Sequence, residues 1–238
     1  MTVLTKEHAS HARSSVFPGR LVHHATRWAG GLPGPTPLRV VPNHHVSLPG
    51  WSGTAALLTG LSDPAGRTII SVPLHVVAAA SDTAHSAADI PHLAALVDRP
   101  HHTVDRMVFR WCVDPSPLPR AGEWIDCDSV RLPAWLAPFG GKALVVFSED
   151  GRYLAGVGIK RHDRFVHEIA VGTEPDARGR GLARRLVAEA ARHILKSGAI
   201  PTYLHDRGNW ASDRVATAVG FTNTGWSALM LSDSPTVQ

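Results

Sequence analysis

Residues 176–198, DARGRGLARRLVAEAARHILKSG, put two glycines and two arginines at the mouth of what otherwise reads as one long helix. Glycine weakens a helix interior and neighbouring arginines repel one another, so their gathering calls for a compensating gain. Leu182, Ala183, Leu186, Val187, Ala190 and Ile194 recur at helical spacing, with Arg184, Arg185, Glu189 and Arg192 elsewhere, and Gly198 stops the run. A helix N-terminus presents unpaired backbone N–H groups and the positive end of the helix dipole. Gly179 and Gly181 let the backbone curl around an anion and the arginines add charge, which suits a diphosphate.

The flanking sequence sets the frame for this helix. KALVVFSEDGRYLAGVGIKRHD, residues 142–163, holds two apolar runs around Asp150-Gly151, a hairpin signal, and FVHEIAVGT follows at 165–173 as a third strand. The third strand is apolar on both faces, which implies cover on both sides. After the helix, PTYLH at 201–205 reads as a strand. Asn209 is a good N-cap for a helix ending at Gly220, and FTNTGWSALML at 221–231 returns as a final strand or hairpin. Strand, helix and strand form a crossover unit, so the strands of Val171 and Tyr203 are expected to be parallel neighbours.

Three phosphate motifs are candidates for the helix mouth. The P-loop ends in GK[ST], but Leu182 follows Gly181. The dinucleotide fingerprint GxGxxG starts at Gly179 and Gly181 but meets Arg184 at its third position, and five residues separate it from the strand; Asp206 would suit a ribose. The third pattern, R/Q-x-x-G-x-G/A, is met by Arg178, Gly181 and Ala183. With it, IAVGTEPDARGRGLARRLVAEAA resembles the acetyl-CoA loop of the GNAT superfamily of N-acetyltransferases, and NWASDRVATAVGF resembles the second cofactor-side helix of that family. The resemblance covers about residues 135–231. It implies an α+β GNAT fold, a mixed central sheet flanked by helices, and acetyl-CoA as cosubstrate for transfer to an amine.

The resemblance further implies that backbone groups of Ile169 and Val171 meet the pantetheine and acetyl carbonyl. Arg178, Gly179, Arg180, Gly181, Leu182 and Ala183 would hold the pyrophosphate, and Asn209 and Ser212 would line the pantetheine side. For the ligand to reach it, the strand of Val171 must splay from that of Tyr203. The family often places a leaving-group acid, a Tyr, where this chain has Ala216; only Tyr153 and Tyr203 are present, so Ser212 or water is the substitute expected. For the base, His167 and Glu168 leave opposite strand faces. Glu168 is the first choice, since a partly desolvated carboxylate rises toward a useful pKa, with pairing to Arg161 as the structural alternative.

Composition bounds the rest. The chain has 238 residues, 44% hydrophobic, enough for a sizeable core without staples. Cys112 and Cys127 are its two cysteines, and no signal segment or long apolar run is evident, so a cytoplasmic setting without membrane attachment is expected. Alanine- and arginine-rich usage points to a bacterial source. The formal net charge is +4, and residues 176–196 alone carry six cations against two anions, so the basic charge is local and suits a compact polyanion better than nucleic acid. Fifteen histidines include three adjacent pairs, but no HExxH or CxxC occurs, and no metal is expected.

The expected organisation is an irregular N-terminal arm at 1–50, a divergent or added lobe at 51–131, and a catalytic domain at 132–238 that leaves room for a homodimer. In the lobe, TIISVP at 68–73 reads as a strand, and Ile90, Leu93, Ala94 and Val97 as one helix face; MVFRWCV at 107–113 fits a strand or a buried helix. The size of the lobe favours a small-molecule amine acceptor over a protein N-terminus. A non-catalytic acyl-CoA sensor and a dinucleotide-binding oxidoreductase are the competing classes.

Overall fold

The structure, a computed structural model, describes residues 17–232. The chain divides into two compact units, one formed by residues 110–223 and the other by 17–109 with 224–232. The expected boundary at 131–132 differs from this division, and the last strand, assigned to the catalytic domain from sequence, falls in the other unit.

In the unit that opens the chain, α1 (Gly19–Ala29) precedes β1 (Leu38–Pro42), β2 (Thr59–Ser62) and β3 (Thr68–Val72). The short helices α2 (Val77–Thr83) and α3 (Leu93–Leu96) lead to β4 (Val104–Trp111). The stretch expected to be an irregular arm therefore holds a helix and a strand; its first 16 residues lie outside the described ones. Proline and glycine punctuation hid both elements, and α1 buries Leu21, Ala25 and Ala29 all the same. β1 runs parallel to β3, β2 and β3 form a hairpin, and the C-terminal strand β10 (Ser227–Leu231) lies antiparallel to both β2 and β4. Ile90, Leu93, Ala94 and Val97 are all buried, as their spacing indicates. They extend over a 3₁₀ turn and α3, because Pro91 interrupts a longer helix.

The second unit is an α+β arrangement. β5 (Glu123–Asp126), β6 (Lys142–Phe147), β7 (Tyr153–Arg161) and β8 (Val166–Thr173) pair antiparallel in that order. Then α4 (Leu182–Lys196) crosses over to β9 (Ile200–His205), which lies parallel to β8, as the right-handed crossover rule anticipates. α5 (Trp210–Val219) follows, its Asn209 cap accepting the Ser212 N–H at 3.0 Å and its end set by Gly220 in the left-handed region. Cys112 N–H bonds to the Pro201 carbonyl at 3.2 Å and so holds the far edge of β9.

The core of this unit lies between the sheet and α4. Leu186, Val187, Ala190, Ala191 and Ile194 meet Ala155, Val157, Ile159 and Ile169, with Tyr203, Ala216, Val219 and Phe221 closing the cluster. Each fully buried Leu, Val or Ile side chain there contributes about 1.5–3 kcal/mol, which outweighs the poor helical start at the glycines. The opposite face of β7 and β8 is covered differently. At Gly158 an added Cβ would lie 2.4 Å from Phe139, and at Gly172 2.8 Å from Trp135, so these rings rest on bare backbone. No helix among the described residues is long and apolar enough to cross a membrane.

Gly158→Ala should force Phe139 out of its seat and cost about 1–3 kcal/mol. Chemical denaturation against the wild type measures it; an unchanged midpoint would show that the ring is not seated on the strand.

Candidate functional site

β8 keeps β7 as a neighbour along its length, with pairs from Arg161↔His167 to Ala155↔Thr173. Its pairing with β9 is much shorter. It begins at Val166↔Ile200 and ends at Glu168↔Thr202. Beyond that rung the two parallel strands part, and the splay expected from sequence is present.

The backbone of β8 decides what the gap offers. Phe165 C=O accepts the Ile200 N–H at 2.8 Å, and His167 C=O accepts the Thr202 hydroxyl at 3.4 Å, so odd-numbered residues turn their backbone groups toward β9. Ile169 and Val171 continue that parity past the last rung. The Ile169 N–H closes the last rung on Thr202, so the Ile169 C=O and the Val171 N–H and C=O face the gap with no strand opposite, polar groups that water or a ligand must satisfy.

The mouth of α4 lies at the end of β8. Gly179 and Gly181 both have positive φ, 78° and 73°, and α4 begins after Gly181 without a side-chain cap. The first turn of α4, with Leu182 and Ala183, keeps its N–H groups free of intrahelical acceptors. Space above Gly179 is open, while the Arg184 side chain folds over Gly181, its Nε 2.8 Å from where a Cβ would sit. Arg178 and Arg180 are exposed and tied only to local carbonyls, Arg178 to Thr173 and Arg180 to Asp176. Asp176 is neutralised by Arg152 at 2.7 Å. Arg185 and Arg192 turn away instead: Arg185 donates to the Arg120 carbonyl at 2.8 Å, and Arg192 binds Glu189 at 2.7 Å and reaches the Ser116 and Leu118 carbonyls. The cationic mouth is thus narrower than the local charge count, resting on Arg178, Arg180 and Arg184.

Glu168 departs from expectation. Its carboxylate is buried, paired with Lys160 at 2.8 Å directly across the β7–β8 ladder and with His162 at 3.0 Å; the anticipated partner Arg161 is not the one used. Burial alone would raise its pKa, but the hydrogen bond from His162 and the charge of Lys160 outweigh it and hold the group down at about 2. The anticipated rise toward a useful basicity does not occur. His167, on the other face, is half-buried, and burial followed by the Arg161 charge lowers its pKa below the ordinary 6.5 against the opposing pull of Asp163. It is unprotonated at neutral pH.

At α5, Asn209 is committed to capping and Ser212 is partly buried. Ala216 is fully buried in the core. Sequence reasoning missed the group behind it. Arg110, 1% exposed, donates to Thr217 Oγ1 at 2.9 Å and the Phe221 carbonyl at 3.1 Å, and forms an ion pair with Asp213. His205 is buried with Nδ1 on the Asp206 carbonyl at 2.8 Å. Arg110 sits inside a strand-like apolar run, and nothing in the sequence announces a buried cation there. Burial pushes the Cys112 thiol up to about 12 and raises that of Cys127 as well, so both are poor nucleophiles. No cluster of three or more His, Cys, Asp or Glu among the described residues is arranged to hold a metal.

Parted parallel strands thus lie beside a glycine-rich helix mouth. Residues 154–229 match the family model described as FR47-like protein. A mycothiol acetyltransferase from Actinosynnema mirum is 32% identical over 134 residues, covering 52% of this chain and 40% of that protein; the chain therefore spans less than half the length of this relative. Among solved structures, a GNAT-family protein from Novosphingobium aromaticivorans is similar at 23% identity and a TM-score of 0.46, over 56% of this chain and 67% of that one. A GCN5-related N-acetyltransferase-like protein from Streptococcus suis is similar at 18% identity and a TM-score of 0.44, over 59% and 67%. The family-model match thus covers β7 through β10, the stretch that holds the helix mouth and the parted strands.

Gly181→Asp adds bulk and negative charge at a left-handed position under Arg184, and should abolish binding of a diphosphate-bearing probe, acetyl-CoA, by calorimetry while the circular dichroism spectrum stays that of the wild type. Arg192→Ala, whose side chain serves the 116–118 carbonyls, should bind within about threefold of wild type. Equal losses from both would argue against a localised cradle.

Proposed function

We propose that the protein is an acetyl-CoA-dependent N-acetyltransferase acting on a primary amine of a small molecule. The observation that carries this reading is the parting of β8 and β9 after Glu168↔Thr202, which leaves the odd-residue backbone of β8 free beside a capless helix mouth. The match of residues 154–229 to the FR47-like family model and the relative named as a mycothiol acetyltransferase support it, and that relative's name favours a small acceptor over a protein terminus.

In this reading, Arg178 to Ala183 hold the pyrophosphate with helix N–H groups and guanidinium charge. Asn209 and Ser212 border the pantetheine, and the thioester lies where β8 leaves β9. The backbone N–H of Val171 stabilises the oxyanion that develops as the amine attacks the carbonyl. The amine must lose a proton, and a carboxylate held at about 2 is too weakly basic to take it at neutral pH. His167 is the better base: it is neutral, and it stands on the face shared with Ile169. Glu168 then serves the sheet by holding Lys160 and His162.

Calorimetric titration with acetyl-CoA, followed by thiol trapping across a panel of amines, tests the reading. Absence of binding at millimolar cosubstrate would overturn it. Binding without release of CoA thiol for any amine would favour an acyl-CoA sensor.

The two candidate bases separate cleanly. His167→Ala should lower kcat/KM by about a hundredfold and remove the acid limb of its pH profile, which in wild type falls below pH 6.5 because burial depresses this pKa. Glu168→Gln should leave that limb in place and instead cost about 2–3 kcal/mol of stability, by stranding Lys160 and the His162 donor. The Glu168 contribution to wild-type stability is present above the ordinary carboxylate pKa and is lost as pH falls through about 2. A titration of unfolding midpoint against pH reads this loss; a Glu168→Gln variant with unchanged stability and a missing acid limb would return the base to Glu168.

A further inference from the structure

Packing alone does not explain the cation at Arg110. It stands on β4 with 1% of its surface exposed, and its Nε makes no hydrogen bond among the described residues. An apolar side chain of similar length would fill the same volume without desolvating a guanidinium, so stability gives little reason for a charge there. The partners that Arg110 does have all lie along one element. Asp213 and Thr217 are one helical turn apart on the same side of α5. Arg110 forms an ion pair with Asp213 and donates to Thr217 Oγ1 at 2.9 Å, and the nitrogen that serves Thr217 also donates to the Phe221 carbonyl, just past the helix end, at 3.1 Å. One side chain from a strand thus holds α5 from its first turn to its last.

The hold on the first turn bears on the gap. Because β8 and β9 are parallel, α4 and α5 both begin at the end of the sheet where those strands part. Asp213 N–H donates to the Asn209 carbonyl at 3.0 Å, and the Asn209 side chain accepts the Ser212 N–H at 3.0 Å, so Asn209, Ser212 and Asp213 form one linked turn. A second buried group braces this turn from the strand before it. His205, the last residue of β9, is 3% exposed, and its Nδ1 lies 2.8 Å from the Asp206 carbonyl. Its Nε2 has no hydrogen-bond partner among the described residues and lies 4.0 Å from the same Asp213 oxygen that Arg110 holds. The Asp213 carboxylate therefore sits between a cation on β4 and an imidazole at the end of β9, although its side chain is 36% exposed.

We propose, on the footing of the acetyltransferase reading above, that Arg110 is a positioning residue. Through Asp213 it sets how far the first turn of α5 stands from the open edge of β8, and so the fit of a pantetheine arm between that edge and Asn209 and Ser212. The diphosphate cradle is built on a different element, the mouth of α4, so the two ends of a CoA molecule are held by separable parts of the site. A change in the Arg110–Asp213 pair then weakens the hold on the arm and spares the hold on the nucleotide end.

The test uses the full chain and calorimetry with two probes: acetyl-CoA, and adenosine 5′-diphosphate, which carries a diphosphate but no pantetheine. Asp213→Ala, at the exposed end of the pair, should raise the Kd for acetyl-CoA about tenfold and leave that for adenosine 5′-diphosphate within about twofold, since only the arm passes the displaced turn. With an amine that the wild type acetylates, the same variant should show a raised KM for acetyl-CoA and a kcat within about threefold of wild type. Arg110→Met, which fills the volume without the charge, should reproduce this pattern; where it does not fold, Asp213→Ala decides alone. Wild-type affinity for acetyl-CoA in Asp213→Ala overturns the proposal. So does a matching loss for both probes, or a loss confined to kcat, since the first makes the pair a general brace of the fold and the second places its effect outside binding. A wild type that binds no acetyl-CoA overturns the acetyltransferase reading and this inference together, whereas a wild type and an Asp213→Ala variant that bind it equally overturn this inference alone.

Discussion

The parting of two parallel strands organises this protein. β8 and β9 share three rungs and then separate, although β8 continues for five more residues against β7. Backbone N–H and C=O groups that would have joined a ladder are left facing a gap, and an unsatisfied buried backbone group costs as much as a lost hydrogen bond. The fold tolerates this because β8 is anchored elsewhere. Seven rungs to β7 fix one edge, Cys112 fixes the far edge of β9 through Pro201, and α4 presses its apolar face onto both strands. The stability that other elements supply lets one edge stay open for a ligand.

The charges around this gap are sorted by burial. Exposed arginines at the helix mouth keep weak, local partners and can be redirected to an incoming anion at little cost, whereas Glu168 and Arg110 are locked in pairs that have already met their desolvation penalty. A carboxylate paired with the Lys160 ammonium and hydrogen-bonded by His162 cannot also be a base near neutral pH. At His167 burial and the Arg161 charge prevail over the pull of Asp163, disfavour the charged form and leave a neutral imidazole. The basicity of each group thus follows from how burial and the neighbouring charges balance there.

Glycines contribute in two separate ways. At Gly179 and Gly181 positive φ turns the chain into a cradle before α4, a conformation that side chains resist. At Gly158 and Gly172 the backbone is ordinary, and the missing Cβ gives room to Phe139 and Trp135. The second pair explains how a strand with so little side-chain bulk on one face is nevertheless covered there.

Much of this was legible in the sequence wherever the signal was local. The Asp-Gly hairpin, the amphipathic run of α4, the Asn209 cap, the Gly198 and Gly220 stops and the parallel crossover all depend on neighbouring residues, and all are where spacing put them. The short, fully buried β2 has no alternation to read, and α1 and β1 sit among prolines and glycines that read as loop, so the opening unit was opaque. What only the tertiary structure decided were the partners of the ionisable groups. The Lys160–Glu168 rung and the Arg110–Asp213 pair join residues that spacing cannot bring together. A pKa, and with it a chemical role, is set by desolvation and by the charges within a few ångströms, and those neighbours exist only once the strands and helices have packed.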